Sequence, residues 1–219
     1  MIVSLANFAS GHSFLSTATL GQEHYSQLIE SVAGSIQPDG SGALLGIDLG
    51  NLPEATASYI KAVALLPFLA GMKFAMPSLD LTGMAPDAAA LQPLNVFPVF
   101  LNPSADWIAG LDAVFGREGL CCVLADAVEN DTVPSARILG HADRAVLQTL
   151  QAVRTHTEIR ASELHAATDE GITVTAWNNR LADLWTRRLI RRTRAGNSWK
   201  YQPFLAGEIL YGLPIHSGN

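Results

Sequence analysis

The segment from Ala43 to Leu49 restricts the possible folds of this chain more than any other feature. It is an almost continuous run of apolar residues in which Asp48 is the one charged side chain. Such a run is typical of a strand that is buried on both faces, because parallel strands are usually covered by helices on both sides of their sheet. The segment is therefore predicted to be an interior strand of a sheet.

Other segments extend this pattern. With 48% hydrophobic and 16% charged residues, the chain has enough apolar side chains for a sizeable core. Strands that alternate with helices predict an α/β layer with some parallel pairing. The further predicted elements are an edge strand within 1–8, strands at 96–101 and 120–125, helices at 20–36 and 54–70, and a loop at 75–95. A further helix, capped by Asn102 or Ser104, is predicted to run to about residue 115.

The C-terminal third has a different organisation. Asp143 is suited to cap a helix, and two more helices are predicted at 161–167 and 174–187. A β-hairpin follows them, with strands at 189–193 and 198–202. The predicted fold is an α/β domain with a mixed sheet, followed by a small α+β domain. The predicted boundaries are 1–128 for the first domain, 129–142 for a linker and 143–219 for the second domain.

Charge is segregated along the chain. The formal net charge is −6, but residues 1–140 carry −9 and residues 141–219 carry +3. Five arginines fall within eight residues, and no acidic residue lies between Asp183 and Glu208. A dense basic cluster without local acids is the pattern expected of a module that meets a polyanion. The five are Arg187, Arg188, Arg191, Arg192 and Arg194.

Residues 141 to about 205 resemble bacterial winged helix-turn-helix regulators. The resemblance is carried by Ala161–Leu164, by Thr175–Leu184 and by Leu189–Arg192. It implies that the outer face of the third helix enters the major groove of double-stranded DNA while the hairpin contacts phosphates. The implied protein is a transcriptional regulator that acts as a homodimer. The predicted DNA-contacting residues are Thr175, Asn178, Asn179, Arg187, Arg188, Arg191, Arg192, Arg194 and Lys200.

Three details of this segment sharpen the prediction. Trp177, Leu181, Leu184 and Trp185 form an apolar stripe at helical spacing and are predicted to be core residues. Arg188 stands where such regulators commonly carry a glycine, which predicts a different helix end. If about five phosphates are neutralised, log K should fall against log salt with a slope of about −4 to −5. Asp183 is an anion on the predicted DNA-facing side and counts against the hypothesis.

Residues 1–128 resemble the STAS-like domains of bacteria, which are related to anti-sigma-factor antagonists. The matching segments are Phe14–Thr17 with Leu20–Gly21, Gly46–Leu49 and Thr56–Tyr59. The resemblance implies a domain that receives a signal or a protein partner. Ser58 is its candidate partner-binding residue, although alanine occupies the position aligned with the phosphorylated serine of those antagonists. The alternative for Ser58 is a hydroxyl at the start of a helix.

Other classes of function have less support. The six histidines and the adjacent Cys121 and Cys122 show no metal-ligand spacing, and no cofactor motif is found. We therefore predict no metal, no cofactor and no enzymatic activity. The apolar run 62–72 is too short to span a bilayer, so a cytoplasmic protein is predicted. The alternative function is a partner-switching module that binds proteins and not DNA.

Overall fold

The computed structural model describes residues 1–33, 42–65, 96–168 and 171–214. Its strands are β1 (Ile2–Ser4), β2 (Ala43–Asp48), β3 (Val96–Leu101), β4 (Cys121–Ala125), β5 (Val133–Gly140), β6 (Ile190–Ala195), β7 (Ser198–Pro203) and β8 (Leu205–Tyr211). Its helices are α1 (Ala6–Ala9), α2 (Ala18–Ala33), α3 (Ala57–Ile60), α4 (Ala105–Arg117), α5 (Arg144–Arg154), α6 (Ala161–Ala167) and α7 (Val174–Thr186). A π-helical stretch, Lys61–Leu65, continues α3.

Six strands form one mixed sheet in the order β1-β2-β3-β4-β5-β8. The first four strands are parallel to one another, β5 is antiparallel to β4, and β8 is parallel to β5. Strands β6 and β7 form a separate antiparallel hairpin. The predicted class, an α/β fold followed by a small α+β region, is confirmed. As predicted, the first strand lies at an edge of the sheet.

Both faces of the sheet are covered, which accounts for the apolar run at 43–49. Along β3 the side chain of Phe100 packs with helices α2, α3 and α4, whereas Phe97 and Val99 point to the opposite face. That second face is covered by the helix–hairpin unit, which we define as residues 143–203. Its helices and hairpin contribute Leu150, Trp177 and Leu189, among others, to one continuous core with the sheet.

The segment between β4 and α5 differs from the predicted linker at 129–142. Residues 133–140 form β5, which pairs with β4 on one side and with β8 on the other. Pro134 weakens the local strand signal because proline cannot donate a ladder hydrogen bond. The partner β8 also lies about 70 residues further along the chain. No window of local sequence reveals such a pairing.

Several local predictions are confirmed. Asp143 caps α5 by accepting a hydrogen bond from the backbone N–H of Val146 at 2.8 Å. Ser104 caps α4 in the same way through Trp107 at 3.4 Å. The predicted helix end at 34–36, the helical residues 66–70 and the loop at 75–95 lie outside the described residues. In the described part of the chain, no helix combines the length and the apolar character needed to cross a membrane.

The close approach of β8 to β5 can be tested at Gly207. A Cβ atom at this position would lie 1.7 Å from the carbonyl oxygen of Pro134. Because a backbone atom cannot move aside cheaply, Gly207→Ala should destabilise the protein by about 1–3 kcal/mol. Urea denaturation followed by tryptophan fluorescence measures this loss. The control is Ala206→Ser at the exposed neighbour, which should stay within about 0.5 kcal/mol of the native chain. Equal stability of all three proteins would contradict the β5–β8 pairing.

Candidate nucleic-acid interface

Helix α7 is the third helix of the helix–hairpin unit. Its N-cap residue is Thr173, whose hydroxyl accepts a hydrogen bond from the backbone N–H of Ala176 at 3.2 Å. The predicted apolar stripe is confirmed, because all four of its side chains are buried: Trp177, Leu181, Leu184 and Trp185. The opposite side of the first two turns carries Thr175, Asn178 and Asn179, which are exposed. We refer to these three residues as the outer face of α7.

The end of α7 is a left-handed cap formed without glycine. Arg188 has φ 58°, the conformation for which glycine is usually selected. The N–H of Leu189 donates to the carbonyl of Leu184 at 3.0 Å, and the N–H of Arg188 donates to that of Trp185 at 3.0 Å. This is the hydrogen-bond pattern of a Schellman motif. The sequence-based expectation of a different helix end is therefore wrong.

The side chain of Arg188 is buried, which explains why arginine is tolerated at this cap. It is 1% exposed, and its Cζ lies 5.2 Å from the ring centroid of Phe97 and 5.3 Å from that of Trp185. Burial lowers the pKa of Arg188 to about 9, so the guanidinium remains charged at neutral pH. A planar guanidinium stacks well on aromatic rings, and this contact offsets the left-handed backbone. The DNA contact predicted for Arg188 conflicts with this burial.

Three other cations of the predicted set are held by carboxylates. The Nε of Arg187 donates to Asp183 at 2.9 Å, and Asp183 raises the pKa of Arg187 although burial opposes the shift. Arg191 forms an ion pair with Asp131 and also donates to its carbonyl oxygen at 2.9 Å. Lys200 pairs with Glu158, whose pKa is lowered by that hydrogen bond. The side chains of Arg187 and Arg191 are only 18% and 13% exposed.

Arg192 lies between two indole rings. Its Cζ is 3.2 Å from the ring centroid of Trp185 and 4.0 Å from that of Trp199. Trp185 belongs to α7 and Trp199 to β7, so the guanidinium joins the helix to the hairpin. Arg194 is exposed near the hairpin turn, where its Cζ lies 5.0 Å from the ring centroid of Trp199 and its Nε donates to the carbonyl of Gly196 at 2.9 Å.

The structure thus divides the predicted contact residues into two groups. Four remain exposed: Thr175, Asn178, Asn179 and Arg194. The other five are buried or half-buried and are held by ion pairs or aromatic rings: Arg187, Arg188, Arg191, Arg192 and Lys200. Sequence reasoning missed the carboxylates of Asp131 and Glu158, because they are 60 and 42 residues from their partners. A charge count over a local window cannot identify such partners.

Ser58 occupies the first turn of α3. It is exposed, and its hydroxyl lies 2.9 Å from the hydroxyl of Thr56, which is the N-cap residue of that helix. The Ser58 hydroxyl also donates to the carbonyl of Ser16 at 3.4 Å. Both features are typical of a hydroxyl at the start of a helix. The side chain is also accessible to a partner.

No protein-family model, no curated protein and no solved structure matches this chain. The winged-helix and STAS-like resemblances therefore remain predictions. Within the described residues, no group of three or more His, Cys, Asp or Glu side chains is placed to hold a metal ion.

The position of Arg192 predicts that it stabilises the hairpin. Arg192→Ala removes both ring contacts and should lower the free energy of unfolding by about 1–3 kcal/mol, since desolvated cation–π contacts contribute up to about 2 kcal/mol each. The matched control is Arg144→Ala, which removes the same charge from an exposed site in the first turn of α5 and should change stability by less than about 0.5 kcal/mol. Urea denaturation of the two variants measures both values. Equal losses would show that the tryptophan stack contributes nothing specific.

Proposed function

We propose that this protein is a cytoplasmic transcriptional regulator that binds double-stranded DNA through its helix–hairpin unit. In this proposal the outer face of α7 enters the major groove and Arg194 contacts a phosphate. The observation that carries the proposal is the arrangement of three helices and a hairpin with Thr175, Asn178 and Asn179 exposed on the first two turns of the third helix. In winged helix-turn-helix proteins, the N-terminal part of the third helix contacts base edges.

The chemistry of the outer face suits base recognition. Asparagine can form two hydrogen bonds with the edge of adenine, a contact that provides about 1–3 kcal/mol of discrimination. The side-chain amides of Asn178 and Asn179 are exposed and make no hydrogen bond within the described part of the chain, so they are available. The objection raised by Asp183 is weakened, because its carboxylate is neutralised by Arg187.

Fewer cations are available for phosphate contacts than the sequence predicts. With five of the predicted contact residues engaged inside the protein, about one to three phosphates per protomer remain to be neutralised. The slope of log K against log salt is then about −1 to −3 instead of about −4 to −5. Weak backbone binding by one protomer favours two copies on adjacent half-sites, and a homodimer is part of the proposal.

A band-shift titration with a random-sequence DNA duplex pool tests the proposal. The native chain should bind with the shallow salt slope given above, and repeated selection should enrich a common sequence. The double variant Asn178→Ala, Asn179→Ala should lose at least about tenfold in affinity for the selected sequence, because base contacts are removed. Its thermal unfolding midpoint should not change, since both side chains are exposed.

Two single variants separate a local contact from a general charge effect. Arg194→Ala should weaken binding to all duplexes and make the salt slope shallower by about 1. Lys61→Ala removes the same charge from α3's π-helical continuation, where the side chain is 55% exposed, and should not alter binding. Absence of binding to any duplex at low salt would remove the proposal.

A second candidate is a partner-switching module that binds protein through residues 1–128. Its support is that Ser58 and Phe14 are both exposed, Phe14 to 47%. The bridge between Leu15 and Ala55 brings their two segments together. Retention of a protein partner that is lost in Phe14→Ala, with no duplex bound at low salt, would select this candidate over the first.

A further inference from the structure

A cavity of about 260 Å³ lies between helix α4 and the outer strands of the sheet. It opens where β3 and β4 end, next to Asn102 and Asp126. Ligands of open α/β sheets bind in the crevice outside the carboxyl ends of the parallel strands. The residues that line this cavity include neither Ser58 nor any of the residues proposed to contact DNA.

The cavity exists because α4 covers β4 but leaves the outermost strands partly open. Leu124 of β4 is buried with the core of α4, whereas Arg137, its partner in β5, is only half-buried. Leu210 of β8 is paired with Arg137 and is 42% exposed. These three side chains form the floor of the cavity, and Ile108 of α4 forms a wall.

Two opposite charges line this cavity without neutralising each other. The Nη1 of Arg137 donates to the carbonyl of Gly212 at 2.9 Å, which fixes the guanidinium and leaves its other N–H groups available. Asp126 is exposed, and among the described residues its carboxylate takes part in no hydrogen bond or ion pair. A guanidinium binds a carboxylate well in a two-point geometry, and a free carboxylate binds an ammonium.

The apolar lining and the volume limit the ligand further. Ile108, Leu124 and Leu210 offer aliphatic surface beside the two charges. Ligand pockets commonly measure about 300–1,000 Å³, so a cavity just below this range fits a small molecule. A ligand that pairs with Arg137, with Asp126 and with the aliphatic lining carries a carboxylate, an ammonium group and a short apolar side chain.

We propose that this cavity is a binding site for a small zwitterion of the α-amino acid class. The ligand carboxylate contacts Arg137, its ammonium group contacts Asp126, and its side chain covers Leu210. The proposal does not depend on DNA binding, because none of these residues belongs to the helix–hairpin unit.

Isothermal titration of the full chain tests this proposal. The probes are L-valine, L-leucine and L-methionine, each raised to about 10 mM. At least one should bind, and its analogues without the amino group or without the carboxylate should bind at least about tenfold more weakly, because each analogue leaves one charge of the site unpaired. The analogues of L-leucine are 4-methylpentanoate and 3-methylbutylamine. Absence of binding by all three amino acids overturns the proposal, as does equal binding of either analogue.

Matched variants connect the binding to this cavity. Arg137→Gln and Asp126→Asn each remove one charge with little change in shape, and each should lower the affinity at least about tenfold. The control is Arg117→Gln, which removes an exposed arginine at the far end of α4 and should leave binding unchanged. Thermal unfolding shows whether each variant is folded, and Asp126→Asn keeps the test valid if the loss of the Gly212 contact destabilises Arg137→Gln. Unchanged affinity in Asp126→Asn overturns the proposal.

Discussion

The parallel pairing of β8 with β5 holds the helix–hairpin unit in place. The chain leaves the sheet after β5, passes through three helices and a hairpin, and returns to the sheet at β8 directly beside its point of departure. The unit is therefore connected at both of its ends to neighbouring strands of the sheet. Val133 of β5 and Leu205 of β8 also pack in the core that the unit shares with the sheet. Closing such a long loop costs entropy, which grows slowly with loop length, and the shared core offsets that cost.

Within this arrangement the arginine cluster contributes mainly to internal structure. Arg188 packs against Phe97 of β3, and Arg191 pairs with Asp131 in the connection before β5. The first contact joins the unit to the sheet and the second joins it to the β4–β5 connection, so the basic residues help to fix the orientation of the unit. Arginine is suited to this role because its planar group stacks on rings and remains charged when partly buried. The density of positive charge in a sequence therefore overestimates the charge that is available to a ligand.

The sequence predicts what depends on neighbouring residues. The interior strands, the caps at Ser104 and Asp143 and the apolar stripe of α7 follow from periodicity and capping chemistry, and the structure has them where they are predicted. What the sequence does not predict depends on distant partners. Strand β8 is identified only through its pairing with β5. The left-handed cap at Arg188 is tolerated because its side chain packs on Phe97 and Trp185. The outer face of α7 could be predicted, because exposure on a helix follows from the position of its apolar stripe.

Strand β8 also relates the two proposed sites to each other. Leu210 lines the cavity, while Leu205 at the other end of the strand is buried with the helix–hairpin unit. Arg154 of α5 donates to the carbonyl of Leu205 at 3.0 Å, and the lining residue Arg137 donates to that of Gly212 just beyond the strand. A ligand changes a distant surface only to the extent that it binds two arrangements of the protein with different affinity. Since β5 is hydrogen-bonded on both sides and β8 on one side within the described sheet, β8 is the strand whose displacement breaks fewer contacts. Of the two lining strands that connect the cavity to the unit, β5 and β8, the second is therefore the one whose movement costs less.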